Sequence, residues 1–132
     1  MAGEFRLEDQ VSTRVLSGRV LTAASDAATT LTGAQTTHGV VTMTPGAARN
    51  LTTATAAQIV AAIPNAQVGT CFELTVVNAA AATHAITLVA GDAAVTLAGV
   101  AGMATIAAAS SVTYLGRITA TGTPAVTFYR KG

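Results

Sequence analysis

The sequence predicts an all-β domain, a sandwich or a barrel, with one short helix and an extended N-terminal arm. Three observations carry this. Short runs of alternating apolar and polar residues recur at roughly ten-residue intervals through the second two thirds of the chain. Turn residues separate them: Pro45-Gly46, Gly91-Asp92, Gly99, Ala109-Ser110 and Gly122-Thr123-Pro124. The usual polar partner in those runs is threonine, which is β-branched and polar at once and suits the solvent face of a strand.

The elements follow in chain order. Seven of the thirteen charged residues, Glu4, Arg6, Glu8, Asp9, Arg14, Arg19 and Asp26, lie in the first 26 positions. This divides the chain into a polar N-terminal arm, 1–35, and an apolar β-sandwich domain, 36–132. In the arm, Val11, Val15 and Leu16 have partial helical spacing, but "STRVLSGRVLT" also reads as two short strands around Ser17-Gly18. "AASDAATTLTGAQTT" is small and polar and reads as a linker or extended loop. In the body, "THGVVTM" (37–43) is a strand ending at Pro45-Gly46. "AAQIVAAI" is a helix: Thr53 or Thr55 serves as its N-cap, Ile59 and Ile63 share a face, and Pro64-Asn65 ends it. A helix this short needs a sheet to pack on, and it is expected to lie over an open end or edge. "CFELTVVN" (71–78) places Phe72, Leu74 and Val76 on one face and Glu73 and Thr75 on the other. "HAITLVA" (84–90), "AVTLAG" (94–99), "MATIAA" (103–108), "SVTYLGRITA" (111–120) and "AVTFYR" (125–130) complete the strands.

Composition excludes several classes. A chain of 132 residues fits one domain with a real core. Hydrophobic residues make up 51% and charged residues 10%, the reverse of a disordered chain. A net charge of +1 gives no electrostatic case for nucleic acid or an anionic membrane, and little self-repulsion to oppose association. Cys71 is the single cysteine, so no intramolecular disulfide and no cysteine-built zinc cluster forms. Residues 93–116 carry no charge, but their Thr, Ser and Gly content and strand spacing argue against a membrane span. "MAGEFRLEDQ" has early acids and no apolar run, unlike a secretory signal.

The chemistry-bearing residues are sparse. His38, His84 and an acid would form a metal site only if strands 37–43 and 84–90 paired, and no cofactor is expected. Cys71 reads as a small buried hydrophobe beside Phe72, not a nucleophile. Glu73 and Asp92 are the body's two carboxylates, one reading as solvated or ion-paired and the other as a turn residue. No glycine run has phosphate-loop spacing. Arg49, Arg117, Arg130 and Lys131 are too few for a phosphate-tracking groove. Tyr114, Phe128 and Tyr129 read as core and edge residues of the last strands. The expectation is therefore not an enzyme but a protein whose work is contact: Thr-rich flat surfaces lose little rotamer entropy on docking, and an arm adds area by wrapping a neighbour.

One resemblance gives this a setting. "MTPGAARNLTTATAAQIVAAIPNAQVGTCFELTVVNAAAATHAITLVAG" followed by "VTLAGVAGMATIAAASSVTYLGRITATGTPAVTFYRKG" resembles a module of virion proteins of tailed bacteriophages, over about residues 43–132. The order that carries it is a helix ending in "AAIP", then "VGT-F-L-VVN", "ITLVAG", a glycine-punctuated hairpin and a closing "VTFYR" strand. The whole chain is most similar to small capsid decoration (cement) proteins. The resemblance implies a jelly-roll-like β-sandwich on the outer surface of the capsid, a homodimer or homotrimer bridging major capsid protein subunits. It implies no catalytic, cofactor or metal residues, and neither a nucleic-acid nor a membrane partner. Its arm, with Phe5, Arg6, Leu7, Glu8, Asp9, Val11, Arg14, Val15 and Leu16, would contact the capsid. The alternative is a receptor- or carbohydrate-binding module of a head fibre or tail.

Overall fold

The computed structural model describes residues 19–99 and 102–132. Among them the elements run β1 (Val20–Ala23), β2 (Thr29–Thr30), α1 (Gly33–Thr37), β3 (Gly39–Met43), β4 (Arg49–Thr52), α2 (Ala56–Ala62), β5 (Cys71–Asn78), β6 (Ile86–Val89), β7 (Val95–Ala98), β8 (Thr105–Ile106), β9 (Ser110–Ala120) and β10 (Ala125–Arg130). They form two sheets: sheet A, ordered β1-β3-β5-β9-β10-β7, and sheet B, ordered β2-β4-β6-β8.

Up to β6 the chain deals strands alternately to the two sheets. β1, β3 and β5 stack in parallel in sheet A, and β2, β4 and β6 stack in parallel in sheet B. Each strand–corner–strand unit thus lies on the one before. α1 and α2 carry the chain back from sheet B to sheet A, since parallel neighbours need a crossover longer than a tight turn. After β6 the pattern changes: β9 runs antiparallel between β5 and β10, β8 runs antiparallel to β6, and β7 closes sheet A parallel to β10.

The mostly-β expectation holds, with two sheets over one core. A jelly roll is built of antiparallel strands, whereas five of the eight pairings here are parallel. The boundary at residue 35 does not hold. Residues 20–35 supply β1, β2 and the start of α1, and Leu31 lies in the core at 2% exposure. Their small polar composition is that of strands and a capped helix, not a linker.

The helices are set by matched caps. Thr32 accepts a hydrogen bond from the Gln35 N–H while the Gln35 side chain accepts from the Thr32 N–H, and Thr55 and Gln58 repeat the arrangement. Each reciprocal pair satisfies two otherwise orphaned donors. α2 turns Ile59 into the core.

Sheet A contributes Val41, Leu74, Val76, Tyr114, Ile118 and Phe128 to that core, and sheet B contributes Leu51, Ile86, Leu88 and Ile106. Each such side chain, fully buried, stabilises the fold by about 1.5–3 kcal/mol. Gly116 sits on the core side of β9, opposite both Phe72 and Phe128. Its missing Cβ leaves room for the Phe72 ring, which meets Phe128 edge-on with centroids 5.6 Å apart. Tyr114 is buried and its hydroxyl donates to the Met103 carbonyl at 2.8 Å.

Two polar side chains tie the coils at their corners. Asn78 ends β5 fully buried; its amide donates to the carbonyls of His84 (2.8 Å) and Ile106 (3.0 Å) and accepts from the Ala80 N–H (3.0 Å). Asp26, in the corner before β2, accepts from the Gly46 N–H in the next corner and from Arg49 Nε at the start of β4, at 2.9 and 2.8 Å. The Gly46 amide and the Arg49 guanidinium hold its carboxyl below the ordinary carboxylate range.

Candidate docking face

Strand alternation gives sheet A a second face, turned away from the core. On it the registers align four rows of side chains. One row reads Leu21, Val40, Thr75, Thr113 and the next Ala23, Thr42, Val77, Ser111. On the other side run Glu73, Leu115, Tyr129, Ala98 and then Cys71, Arg117, Thr127, Thr96. Leu21 is 69% exposed and Tyr129 42%. Val40, Val77 and Leu115 are half-buried, and none is among the residues of the core or those packed against it. The described helices point their buried side chains elsewhere: Thr36 accepts from the Ala54 N–H, and Ile59 joins the core.

Many of its side chains are short: Ala23, Val40, Thr42, Thr75, Val77, Ser111 and Thr113. Thr75 and Thr113 share a hydrogen bond across β5 and β9 at 2.9 Å. Apart from Arg117, its charges gather at one place: Glu73 pairs with Lys131 and, at 3.6 Å, with Arg19. The Lys131 hydrogen bond, above all, holds the Glu73 carboxyl below its ordinary value. Beside Tyr129 an open groove of about 630 Å³ runs along Ala98, Gly99 and Met103. Arg130 borders it, but its Nη1 donates to the Gly102 and Thr105 carbonyls, both at 2.7 Å, and so braces the loop before β8.

Sheet B differs. Its outward residues are Thr30, Asn50, Thr52, Thr87, Val89 and Thr105, nearly all hydroxyl or amide. That is an ordinary hydrated strand surface.

The chemistry-bearing residues are dispersed. Cys71 is exposed, not buried, because it lies on the outward side of β5, and its thiol donates to the Gly69 carbonyl. His38 bonds locally, to the Thr37 hydroxyl and the Ala34 carbonyl. It precedes β3 in sheet A, while His84 precedes β6 in sheet B, so the two strands do not pair. No group of three or more His, Cys, Asp or Glu side chains is spaced for a metal among the described residues. Asp92 caps its own turn by accepting from the Ala94 N–H. No described helix is long and apolar enough to cross a membrane. The arm residues Phe5, Arg6, Leu7, Glu8, Asp9, Val11, Arg14, Val15 and Leu16 lie outside the described residues.

The outward rows were only half legible in sequence. The face of Phe72, Leu74 and Val76 could be read from alternation, but Val40, Val77 and Leu115 look like core residues until the register is known. Comparison with protein families, with curated proteins and with solved structures gives no match.

Proposed function

We propose that this protein is a structural module that works by docking the outer face of sheet A onto other protein subunits. Specifically, it binds the outside of a tailed-phage capsid and bridges major capsid protein subunits, as a dimer or trimer. The observation that carries the reading is the row structure of that face: Leu21, Val40, Val77, Leu115 and Tyr129 stand on one side of a six-stranded sheet with no described element over them. The face is apolar in two groups, Leu21 with Val40 and Leu115 with Tyr129, on either side of Thr75 and Glu73, and exposed apolar groups rimmed by polar residues mark docking sites. Its threonines and valines have few rotamers to lose on contact, so a larger part of the gain from burial survives as affinity. The capsid as partner comes from the resemblance of residues 43–132 to phage virion modules. A clamp that binds only assembled subunits stabilises the assembly by mass action, without a bond made or broken.

The test is binding to capsids stripped of decoration, comparing the native chain with Leu115→Lys. Leu115 is outside the core, so the variant folds and loses capsid binding. Binding by the variant equal to that of the native chain overturns the face as the contact. A folded native chain that ignores capsids overturns the capsid reading. Tyr129, exposed beside the groove, favours a second reading, a receptor- or carbohydrate-binding module; a glycan array probed with the isolated protein separates the two.

A further inference from the structure

The described cations differ in what holds them. Arg19 and Lys131 are both engaged by Glu73, one at each carboxylate oxygen. Arg49 is paired with Asp26, and Arg130 donates Nη1 to the Gly102 and Thr105 carbonyls. Arg117 differs from them all. It is exposed on the outer side of β9, in the row Cys71, Arg117, Thr127, Thr96, which holds no carboxylate. Among the described residues it makes no ion pair. The outer face of sheet A thus carries the cations Arg19, Lys131 and Arg117 against the one described carboxylate of Glu73. The other described carboxylates are engaged locally, Asp26 by Gly46 and Arg49 and Asp92 by the Ala94 N–H.

We propose that the partner met by this face is an acidic protein surface, which seats a carboxylate on the Arg117 guanidinium and an apolar side chain against Leu115 and Tyr129. This rests on the docking reading of the face and names what the partner presents there. Leu115 and Arg117 stand two residues apart on one side of β9, about 7 Å along the strand, and Tyr129 pairs with Leu115 from β10. The partner's apolar group and its carboxylate are therefore neighbours on one surface. Docking against Leu115 also covers Arg117. A charge covered without a counter-charge opposes binding, so a surface that docks here supplies one. A guanidinium suits the task, because its planar fork receives both oxygens of a carboxylate and it is more weakly hydrated than an ammonium. A second copy does not supply the carboxylate by the same face: its Glu73 is taken, and cations would meet cations. A nucleic acid needs a track of cations for successive phosphates, whereas the row neighbours of Arg117 are Cys71, Thr127 and Thr96.

The test is titration of the full native chain and three variants onto capsids stripped of decoration, at low and high salt. Arg117→Gln removes the charge. Arg117→Lys keeps it without the fork. Thr87→Glu, on the outer side of sheet B, makes the same change in net charge as Arg117→Gln but elsewhere. Arg117 and Thr87 are both exposed, so the four proteins should share one urea midpoint. Arg117→Gln should bind about tenfold or more weakly at low salt, Arg117→Lys should regain part of the loss, and Thr87→Glu should bind as the native chain does. The difference between native chain and Arg117→Gln should shrink at high salt. Undiminished binding by Arg117→Gln overturns the proposal and leaves the docking reading standing, since Leu115→Lys tests that reading by itself. Equal weakening by Arg117→Gln and Thr87→Glu also overturns it, by showing an effect of net charge. A native chain that ignores capsids removes the capsid reading and this inference with it. Binding of the native chain to single-stranded DNA that Arg117→Gln abolishes assigns Arg117 to phosphate and overturns the carboxylate.

Discussion

Asn78 offers the sharpest test of how the two sheets are held together. Its side chain serves three backbone groups at the end of β5: the carbonyls of His84 and Ile106 and the N–H of Ala80. Ala80 and Ile106 are buried at 3% and 0% exposure, whereas His84 is half-exposed. Asn78→Ala leaves all three without the amide. Water can recover His84, but two buried groups stay unmet, each at about 1–3 kcal/mol, so the expected loss is about 4 kcal/mol. With a urea slope of about 2 kcal/mol/M, the unfolding midpoint should fall by about 2 M at an unchanged slope. Asn78→Asp should be worse still. It replaces the donor with a carboxylate oxygen facing two carbonyls, inside the fold. The assay is urea unfolding followed by circular dichroism on the three proteins. A loss under about 1 kcal/mol for the alanine variant would refute the reasoning, and so would an aspartate variant more stable than the alanine one.

Three further outcomes follow from single positions. Gly116→Ala places a methyl group where the Phe72 ring lies, and overpacking of this kind should cost about 1–3 kcal/mol by thermal or urea unfolding; Phe72→Leu in the same background should recover part of it. Thr83 holds φ at +70° in the corner before β6, a strained conformation for a β-branched residue, so Thr83→Gly should raise stability by about 1 kcal/mol. Asp26 has a folded-state pKa below its ordinary value of 3.8, so its contribution is present above that value and lost as pH falls through the folded pKa. The stability gap between native protein and Asp26→Asn should therefore close between about pH 5 and pH 2; a gap that widens toward low pH would show the corner is held by other means.

The legible parts of the fold were those written in local alternation. β5 and β10 begin and end where their patterns do, and α2 begins after Thr55. What sequence reading missed was set by stacking between coils. β4 (Arg49–Thr52) has one core residue, Leu51, and takes its identity from pairing with β6. β2 is two threonines beside Leu51 and Thr52. α1 had a usable signal: Thr32 and Gln35 repeat the spacing of Thr55 and Gln58, and that capping box distinguishes a helix from a linker. The outer face of sheet A was hidden for a different reason. A half-buried valine on the outer side of a sheet has the same sequence pattern as one in the core, and only the register separates Val40 from Val41.

The scarcity of charge now has a structural location. Surfaces exposed to water ordinarily carry many charged side chains of both signs, which oppose association. Sheet A presents six strands, yet the charged residues on its outer side are Arg117 and a cluster of Glu73 with Lys131 and Arg19. The remaining positions in its rows are Leu, Val, Thr, Ser and Ala, with Cys71 at one end and Tyr129 at one side. Sheet B shows that this chain makes a hydrated surface from the same small residues, by placing Thr or Asn at nearly every outward position. The two faces are thus distinguished by side-chain choice on a common scaffold, not by a limit on composition. A single charge in the middle of the sheet A face should therefore act on association without acting on folding. Ser111→Lys meets that condition: Ser111 is exposed on the outer side of β9, opposite Val77 and outside the core. Its unfolding midpoint should match the native chain while self-association, measured by sedimentation, or partner binding falls by about tenfold or more. Equal loss of folding and of association would place Ser111 within the structural support of the fold and remove the distinction between the two faces.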